Sequence, residues 1–374
     1  MKQASFIQLE TRQLWCVCGL VFDAVSLKET KLKITQAIKQ DISCFLTTPN
    51  LNFLITAISD DEFYQSVIDS DLSIADGMPL IWVAKLLGLP LTERVAGSTL
   101  FDELSKKEAK ADKIKVFFFG GQEGVAENAH QQLNITSDGM TSCGFYDPGF
   151  VTIDEMSSST IVDKINAADP DFLVVALGAK KGQAWIQKNR EQLNATVISH
   201  LGAVINFVAG SVERAPLMWQ RIGLEWVWRI KQEPTLWQRY FFDGLSFLKL
   251  LVSKVLPLAV YDRWLKRSAS FHTPFECHYE QSKTLITLIG SVHYDVIGHL
   301  KDTLSQVVVI NENIIIDCSK LIYLDSAVIA TLLLFQRHVN ESGHSLVLSG
   351  VPKRVRRILY LNNVQKRFII EPSA

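Results

Sequence analysis

Hydrophobic and polar positions along the first 200 residues predict short strands that alternate with helices. Brief apolar runs are separated by segments with helical periodicity. The predicted strands are residues 44–48, 72–75, 115–119, 172–177 and 196–200. The predicted helices include residues 27–39, 51–60, 79–87, 124–132 and 182–192. Strands that alternate with helices usually pair in parallel, so we expect an α/β fold with a Rossmann-like, doubly wound and mostly parallel sheet.

Residues 211–267 have a different pattern, which predicts two or three helices. Five of the eight tryptophans fall here, and ten Lys and Arg accompany five Asp and Glu. One interpretation is a helical layer on the sheet with its charges in solvent. The other is a surface for anionic lipid head groups, because Trp together with Lys and Arg favours the membrane interface. Composition favours the two interpretations about equally.

A short polar segment with one proline, residues 268–274, resembles a linker. Beyond it the pattern predicts strands at 283–290, 314–317 and 344–348 and helices at 326–339 and 352–361. We therefore expect a sheet domain in residues 1–210, a helical appendage in 211–267, the linker, and a separate small α/β domain in 275–374. The patterns on either side of the linker are self-contained, so each part should close its own core.

Length and charge narrow the class of protein. A chain of 374 residues that is 48% hydrophobic can form two or three folded domains. Its 38 Lys and Arg against 39 Asp and Glu give a formal charge of −1. Near-neutrality argues against a nucleic-acid-binding surface over the whole protein.

The cysteines and the apolar runs indicate where the protein works. Six cysteines without a CxxC pair argue against a disulfide framework or a zinc ribbon and favour a reducing compartment. The sequence shows no targeting segment and no uncharged apolar stretch of about 18 residues, so we expect no membrane-spanning helix. These features predict a cytoplasmic protein.

Two loops that follow predicted strands contain polar side chains suited to a substrate. Thr48 and Asn50 lie where a strand ends and a helix begins, so they could hold a sugar or phosphate, or simply cap the helix. Asp76 ends another strand, and Gly77 permits a sharp turn after it. Ligands of such sheets bind at the carboxyl ends of the strands. Asp76 is therefore a candidate general base or hydroxyl anchor, with helix capping as the alternative.

Two glycine-rich turns between a strand and a helix could hold phosphate groups. The first contains Gly120 and Gly121, and the second contains Gly178, Lys181 and Gln183. Backbone amides at a helix start attract anions, although neither turn matches GxGxxG or a Walker loop, and solvated turns are the alternative. The Asp-x-Asp pairs at 69–71 and 169–171 precede their strands, which places them at the wrong edge for a metal site.

These motifs together resemble the WecG/TagA/CpsF glycosyltransferases, glycosyltransferase family 26, from about Leu14 to Leu251. The matching segments are Thr47-Thr48-Pro49-Asn50, Ala75-Asp76-Gly77, Arg94-Val95-Ala96-Gly97-Ser98, Phe119-Gly120-Gly121, Gly144-Phe145-Tyr146, Leu177-Gly178-Ala179, Arg214-Ala215-Pro216 and Gly223-Leu224-Glu225-Trp226. The last two segments are the most specific because they follow one another closely.

The resemblance implies an inverting transfer from a UDP-sugar, with an N-acetylated hexosamine or its uronic acid as the sugar. It implies a polyprenyl-diphosphate-linked sugar as acceptor, peripheral attachment to the inner face of the cell membrane, and neither a cofactor nor a metal. In the family's pattern Asp76 is the catalytic base and Thr48 its polar partner. The residues expected to bind substrate are Asn50, Gly77, Arg94, Gly97, Gly120, Gly121, Gly178, Lys181, Gln183, Arg214, Glu225, Arg229 and Arg239.

The chain departs from the family's pattern at four places. Thr99 stands where the family has Asp, Lys180-Lys181-Gly182-Gln183 replaces Pro-Lys-Gln-Glu, Ile205-Asn206 replaces Phe-Asp, and Thr235-Leu236 replaces an arginine pair. The donor sugar is therefore open, and a catalytically weak, glycosyltransferase-like scaffold is the alternative function. A nucleotide-dependent oxidoreductase is disfavoured, because no GxGxxG follows the first strand.

The C-terminal part, about 275–370, resembles a STAS domain of the anti-sigma-factor-antagonist type. Its matching segments are Ile315-Ile316-Asp317-Cys318-Ser319, Leu324-Asp325-Ser326-Ala327, Gly343 and Gly350-Val351. The type carries a phosphorylated hydroxyl at this helix start, so Ser326 is a candidate phosphate acceptor, and a helix cap is the alternative. The resemblance implies a regulatory domain that binds a protein partner or a second copy of the chain.

Overall fold

The first described element is a β-hairpin that the hydrophobic pattern did not predict. The computed structural model describes residues 12–106, 112–216, 218–219, 223–307 and 312–371. Strands β1 (Leu14–Val17) and β2 (Leu20–Asp23) pair antiparallel, and every residue in them is buried. Cys18 and Gly19 both have positive φ, as a two-residue type I′ turn requires. An ion pair of 2.7 Å between Arg12 Nη2 and Asp23 Oδ2 joins the two open ends of the hairpin.

The alternating pattern of the first 200 residues forms the predicted parallel sheet. Its strands are β3 (Cys44–Thr47), β4 (Leu72–Ser73), β5 (Ile114–Gly120), β6 (Met140–Tyr146), β7 (Phe172–Ala176) and β8 (Val197–His200). Their order among the described residues is β4-β3-β8-β7-β5-β6, and all neighbours are parallel. This arrangement confirms the doubly wound α/β fold and adds β6, an edge strand that the pattern did not predict.

Helices connect these strands, as expected for parallel pairing. They are α1 (Leu27–Gln40), α2 (Leu51–Ser59), α3 (Asp61–Ile68), α4 (Met78–Leu87), α5 (Gly97–Ser105), α6 (Val125–Thr136), α7 (Ser159–Ala167), α8 (Ala179–Asn189) and α9 (Gly202–Val208). The start of α1 shows how local sequence sets these bounds. Ser26 Oγ accepts from the Glu29 N–H at 3.2 Å, and Glu29 Oε2 accepts from the Ser26 N–H at 2.7 Å. This reciprocal capping box satisfies two amides that the helix cannot pair.

Both faces of the parallel sheet are buried. Leu46, Val116 and Val174 lie in a core cluster on one face, and Phe117 and Leu173 lie in a cluster on the other. Successive strand residues point to opposite faces, so strands buried on both sides consist of uninterrupted apolar runs. The polar side chains at the strand ends, which lie outside these clusters, are therefore the ones that can contact a ligand.

The two Asp-x-Asp pairs lie at the amino ends of strands, as predicted. Asp71 Oδ2 accepts from the Phe45 N–H at 2.8 Å, and Asp171 Oδ2 accepts from the Lys115 N–H at 2.7 Å. Asp69 accepts hydrogen bonds from the Gln65 and Gln187 side chains. These carboxylates hold neighbouring strands and helices together at the edge opposite the polar loops.

The appendage and the C-terminal domain follow. The appendage contains α10 (Glu225–Gln232), α11 (Trp237–Leu250), a π-helical turn (Leu251–Val255) and α12 (Leu256–Lys266). The C-terminal strands are β9 (Glu276–Glu280), β10 (Leu285–Val292), β11 (Ile314–Leu324), β12 (Leu346–Ser349) and β13 (Ile369–Ile370), with helices α13 (Ile297–Val307), α14 (Ser326–Glu341) and α15 (Lys353–Leu361). The strand order among the described residues is β13-β12-β11-β10-β9; β9 pairs antiparallel with β10, and the other neighbours are parallel. The separate small α/β domain is thus confirmed.

The compact units of the structure do not follow the boundaries expected from the sequence. One unit consists of the described residues of Val25–Ile81 and Glu93–Gly244. The other consists of those of Met1–Ala24, Trp82–Thr92 and Leu245–Ala374. The N-terminal hairpin and the end of the appendage therefore belong to the same unit as the C-terminal sheet.

Helix α14 is the reason why the hairpin belongs to that unit. Almost every side chain of α14 is buried, and β1 and β2 pack against it. The Trp15 ring lies 5.1 Å from that of Tyr294, and the Tyr294 N–H donates to Asp325 at 2.8 Å. An apolar helix needs cover on every side, and the hairpin supplies part of it.

The predicted linker is folded against the C-terminal sheet. Ala269–His272 forms a short 3-10 helix, and the Phe271 ring lies 5.1 Å from the Tyr323 ring. The Ser291 N–H donates to the Thr273 carbonyl at 3.2 Å. A Cβ at Gly290 would lie 2.0 Å from the Pro274 carbonyl oxygen, so the segment approaches the strand closely. Residues 268–274 therefore complete the packing of this unit.

Candidate active site

The loops after β3 and β4 bring the predicted catalytic residues to the same edge of the sheet. The Ile74 N–H donates to the Thr47 carbonyl at 3.0 Å, and the Asp76 N–H donates to the Pro49 carbonyl at 2.9 Å. These bonds continue the pairing of the two strands beyond their regular ends. Asp76 therefore lies beside the Thr48–Asn50 loop, at the carboxyl edge where ligands of such sheets bind.

The Asp76 carboxylate faces a basic side chain and a helix start instead of capping α4. Its Oδ1 accepts from Arg94 Nε at 3.2 Å, and its Oδ2 accepts from the Gly97 N–H at 3.4 Å. Gly97 is the first residue of α5, where the backbone amides favour an anion. The Asp76 side chain is 25% exposed, so it is accessible to a substrate.

Arg94 connects Asp76 to the appendage. Its Nη2 forms an ion pair of 2.6 Å with Glu225 Oε2, at the first position of α10. Burial raises the pKa of the Asp76 carboxyl above its ordinary value, Arg94 lowers that pKa, and Glu225 raises it. One cation is therefore shared by two carboxylates, and burial outweighs the effect of the cation on Asp76.

The other residues of these loops complete the pocket around Asp76. Thr48 is buried, and a Cβ at Gly97 would lie 3.3 Å from its Cγ2, so the two residues are in contact. A Cβ at Gly77 would lie 3.6 Å from that of Asn50. Asn50 Oδ1 accepts from the Phe53 N–H at 3.2 Å and so caps α2. The structure thus brings together seven of the predicted site residues, although Asn50 also performs the capping role.

The glycine turns after β5 and β7 lie next to each other. The Gly121 N–H donates to the Ala176 carbonyl at 2.8 Å, and a Cβ at Gly120 would lie 2.7 Å from that oxygen. Gly120 and Gly178 both have positive φ, and a Cβ at Gly178 would meet no atom within 4 Å. Close approach explains Gly120, whereas the space around Gly178 leaves the start of α8 accessible.

The two lysines in the first turn of α8 bind protein groups, whereas Gln183 is buried. Lys181 Nζ donates to the Val151 carbonyl, and Lys180 Nζ pairs with Asp60 Oδ2 at 2.6 Å. The Gln183 side chain is buried, and its amide has no hydrogen-bond partner among the described residues. Neither lysine is therefore directed at the Asp76 pocket by the contacts that it makes.

His200 explains one departure from the family's pattern and was missed by sequence reasoning. It ends β8, is buried, and lies so close to α8 that a Cβ at Gly182 would be 2.3 Å from its Cδ2. A glutamine at position 182 therefore has no room while His200 is present. Burial lowers the pKa of His200 to about 4, so the imidazole is neutral at pH 7. The signal was a histidine at the carboxyl end of a buried strand.

The predicted arginines are not gathered at Asp76 by the contacts of the described residues. Arg214 pairs with Asp102, and its guanidinium lies 5.6 Å from the Phe207 ring centre. Arg229 Nη2 lies 3.5 Å from Glu233 Oε2. The Arg239 guanidinium lies 5.1 Å from the Tyr240 ring centre. Arg94 is thus the predicted arginine that contacts the Asp76 carboxylate.

One helical stretch of the described residues, Pro234–Lys266, has the length and apolar composition of a membrane span. Its exposed apolar side chains include Leu245, Leu248, Val252, Leu256, Val260 and Trp264. They recur every three or four residues and so follow one face, while Lys249 and Lys254 interrupt the stretch. This spacing is typical of a helix that lies along an apolar surface.

Ser326 is the candidate phosphate acceptor of the C-terminal domain. It is the first residue of α14 and is buried, and its hydroxyl has no hydrogen-bond partner among the described residues. The capping role belongs to Asp325, whose Oδ1 accepts from the Ala327 and Val328 N–H groups at 3.0 Å each. Burial raises the pKa of Asp325. Asp325, and not Ser326, is therefore the residue that caps α14.

Comparison with known proteins gives two family matches that cover most of the chain. Residues 15–259 match the glycosyl transferase WecG/TagA/CpsF family. Residues 278–371 match the MlaB-type STAS domain. The first match includes the Asp76 pocket, the glycine turns and α10, and the second includes most of the C-terminal sheet and Ser326.

Similar proteins of known activity match more than half of the chain. A Bacillus spizizenii N-acetylglucosaminyldiphosphoundecaprenol N-acetyl-beta-D-mannosaminyltransferase is 31% identical over 205 residues, which cover 55% of this chain and 77% of the relative. A Staphylococcus aureus protein with the same name is 24% identical over 225 residues, which cover 60% of this chain and 85% of the relative.

Proposed function

Because the chain belongs to the WecG/TagA/CpsF family of glycosyl transferases, we propose that it transfers an N-acetylhexosamine, or its uronic acid, from a UDP-sugar to a polyprenyl-diphosphate-linked sugar. The names of its relatives make N-acetylmannosamine the first sugar to test. They also favour N-acetylglucosamine on undecaprenyl diphosphate as the acceptor. Such lipid-linked sugars are building blocks of bacterial surface polysaccharides.

The Asp76 pocket is the observation that supports this reaction best. Asp76 is a partly exposed carboxylate at the carboxyl edge of the sheet, and its pKa is raised by burial. A general base works best when its pKa approaches the working pH, and a raised carboxyl pKa moves in that direction. Thr48 contacts Gly97, whose N–H donates to Asp76, and can orient the acceptor hydroxyl.

In the proposed step, the acceptor hydroxyl oxygen attacks the anomeric carbon of the donor sugar. Asp76 takes the hydroxyl proton, and the bond from the anomeric carbon to the UDP oxygen breaks. UDP leaves with the electron pair of that bond, and one displacement inverts the configuration. The base must come within about 2.6–3.2 Å of the hydroxyl that it deprotonates.

The leaving diphosphate needs stabilisation at the same edge. We propose that the turns at Gly120, Gly121 and Gly178 contact it through backbone amides, as helix starts do for anions. Arg214, Arg229 and Arg239 remain proposed substrate ligands, which the bound state would have to bring to the diphosphate. The Asp-x-Asp pairs lie at the opposite edge, so we expect a reaction that needs no metal.

An assay of UDP release tests the proposed function. We expect release from UDP-N-acetylmannosamine or a related UDP-sugar when a short-chain prenyl-diphosphate N-acetylglucosamine is present, and the same rate in EDTA. The control omits the acceptor and so measures hydrolysis. A protein that releases no UDP from any member of the panel would support the scaffold alternative, and activity that Mn²⁺ or Mg²⁺ restores after EDTA would contradict the metal-free mechanism.

We further propose that the appendage holds the enzyme on the cytoplasmic face of the membrane, where a lipid-linked acceptor lies. The exposed apolar face of the stretch from Leu245 to Trp264 supports this placement, and its lysines suit anionic head groups. An amphipathic helix of this kind lies in the interface plane.

Vesicle flotation tests the membrane proposal. Val252→Asp should weaken binding to anionic vesicles about tenfold or more, because burial of an aliphatic side chain is worth about 1.5–3 kcal/mol. Ile135→Asp, at a position on α6 that is 75% exposed, is the matched control and should bind like the wild type. Binding should also fall at high salt. Equal binding of the Val252→Asp variant and the wild type would contradict the proposal.

We propose that the STAS domain binds a protein partner or a second copy of the chain and so places the transferase in a complex. Phosphorylation of Ser326 would add about −1.5 to −2 charges at a helix N-terminus, where they are favoured. The burial of Ser326 means that a kinase would need local opening of this helix start.

A further inference from the structure

The ion pairs around Arg94 point to a role for Glu225 that differs from substrate binding. Arg94 Nη2 lies 2.6 Å from Glu225 Oε2, whereas its Nε lies 3.2 Å from Asp76 Oδ1. The guanidinium is thus held more closely by the appendage carboxylate than by the expected catalytic carboxylate. An arginine that paired with Asp76 alone would stabilise its charged form and weaken it as a base.

We propose that Glu225 is a positioning residue for Asp76, because it holds the Arg94 guanidinium and keeps that cation from neutralising the carboxylate that must accept a proton. This inference rests on the proposed function, in which Asp76 is the base. Arg94 then fixes the orientation of Asp76 without removing its basicity.

The charge environment of Asp76 is set mainly by one cation and one further carboxylate. Among the described residues, Arg94 and Glu225 have the largest charge effects on Asp76. The groups that the β3 loop and α5 place in the pocket are uncharged. They are Thr48, Asn50 and the Gly97 N–H. Two carboxylates and one guanidinium leave one net negative charge in the pocket. The effects on the pKa of Asp76 agree with these charges: Arg94 lowers that pKa, and Glu225 raises it.

The first test compares pH profiles of kcat/KM, whose acidic limb reports the base in the free enzyme. Glu225→Gln should move this limb to lower pH, because a charge that raises the Asp76 pKa is lost and Arg94 becomes free to pair with Asp76. Its maximal kcat should also fall, by less than the roughly 10²-fold minimum expected for loss of the base itself. Arg94→Gln should move the limb to higher pH. Opposite shifts from the two halves of one ion pair are not expected from a structural role.

Two further variants serve as controls. Glu225→Asp keeps the charge and should leave the limb near its wild-type position. Glu233→Gln removes a carboxylate just beyond the other end of α10, about 12 Å from Glu225 along the helix axis, and should not move the limb. A Glu225→Gln limb that stays in place or rises would overturn the proposal, as would an equal shift from Glu233→Gln. If circular dichroism shows that Glu225→Gln does not fold, the Arg94→Gln and Glu225→Asp variants test the proposal. An acidic limb of Arg94→Gln that stays in place or moves to lower pH would then overturn it.

A second readout does not depend on any substrate. Carbon-13 NMR of aspartate-labelled protein can follow the Asp76 carboxyl during a pH titration, with Asp76→Asn to assign its signal. The same directions are expected: a lower pKa in Glu225→Gln and a higher pKa in Arg94→Gln. If the wild type transfers no sugar, the proposed function fails, yet this titration still supports or overturns the positioning role.

Discussion

Replacement of Asp76 by asparagine should lower sugar transfer by about 10²–10⁴-fold, the usual contribution of a general base. Asparagine has the same shape and can still accept from the Gly97 N–H through its amide oxygen. It cannot take the proton of the acceptor hydroxyl, so the loss should appear in kcat. Affinity for UDP should change little, because the glycine turns that we propose as its ligands lie on other strands. Steady-state kinetics and calorimetric UDP binding measure the two quantities.

Asp163→Asn is a matched control for this prediction. Asp163 lies exposed on α7, so its replacement makes the same chemical change away from the pocket. It should transfer sugar at the wild-type rate. An Asp76→Asn variant that kept more than about a tenth of wild-type turnover would show that another group is the base.

Replacement of Phe22 by alanine should destabilise the unit that contains the C-terminal sheet by about 3–5 kcal/mol, the usual cost of removing a buried phenyl ring. Phe22 lies in β2 and is fully buried, and its hairpin packs against α14. The loss should therefore appear in α14, about 300 residues away along the chain. Hydrogen exchange of the full-length protein, followed by mass spectrometry, should detect faster exchange of the α14 amides.

Ile369→Ala provides the comparison for the hairpin variant. Ile369 belongs to the same unit but is 53% exposed, so its truncation should change the free energy of unfolding by no more than about 0.5 kcal/mol. If Phe22→Ala accelerated exchange in the hairpin alone and left α14 protected, the C-terminal domain would close its own core without the hairpin.

Strands buried on both faces were predictable because their apolar runs are continuous, as in β5 and β7. The edge strand β6 contains Ser142 and Gly144 among its apolar residues, so its pattern is broken. Strand β11 continues to Leu324, well beyond the predicted end, because β10 pairs with it across two register shifts. Edge positions and irregular pairing depend on the neighbouring strand, which local sequence does not specify.

The site followed from the sequence where it lies at strand ends. Thr48 is the last residue of one predicted strand and Asp76 directly follows another, so parallel pairing was enough to bring them to one edge. Arg94 and Glu225 were found through the family's motifs, but their shared ion pair depends on how α10 packs beside the β4 loop. The contact between His200 and Gly182 likewise depends on the packing of a helix against a strand. Contacts between side chains of different elements depend on tertiary packing, so the local sequence pattern did not predict them.

The N-terminal hairpin has a consequence for synthesis on the ribosome. Its strands emerge early, whereas α14 follows about 300 residues later, which takes about 15–60 s at about 5–20 residues per second. A lone two-stranded hairpin is marginally stable in water, so its apolar side chains lack their native cover during that interval. Chains whose translation stops before α14 should therefore expose the apolar side chains of the hairpin. Chaperones or proteases should bind such nascent chains, and this binding should cease once α14 has left the exit tunnel.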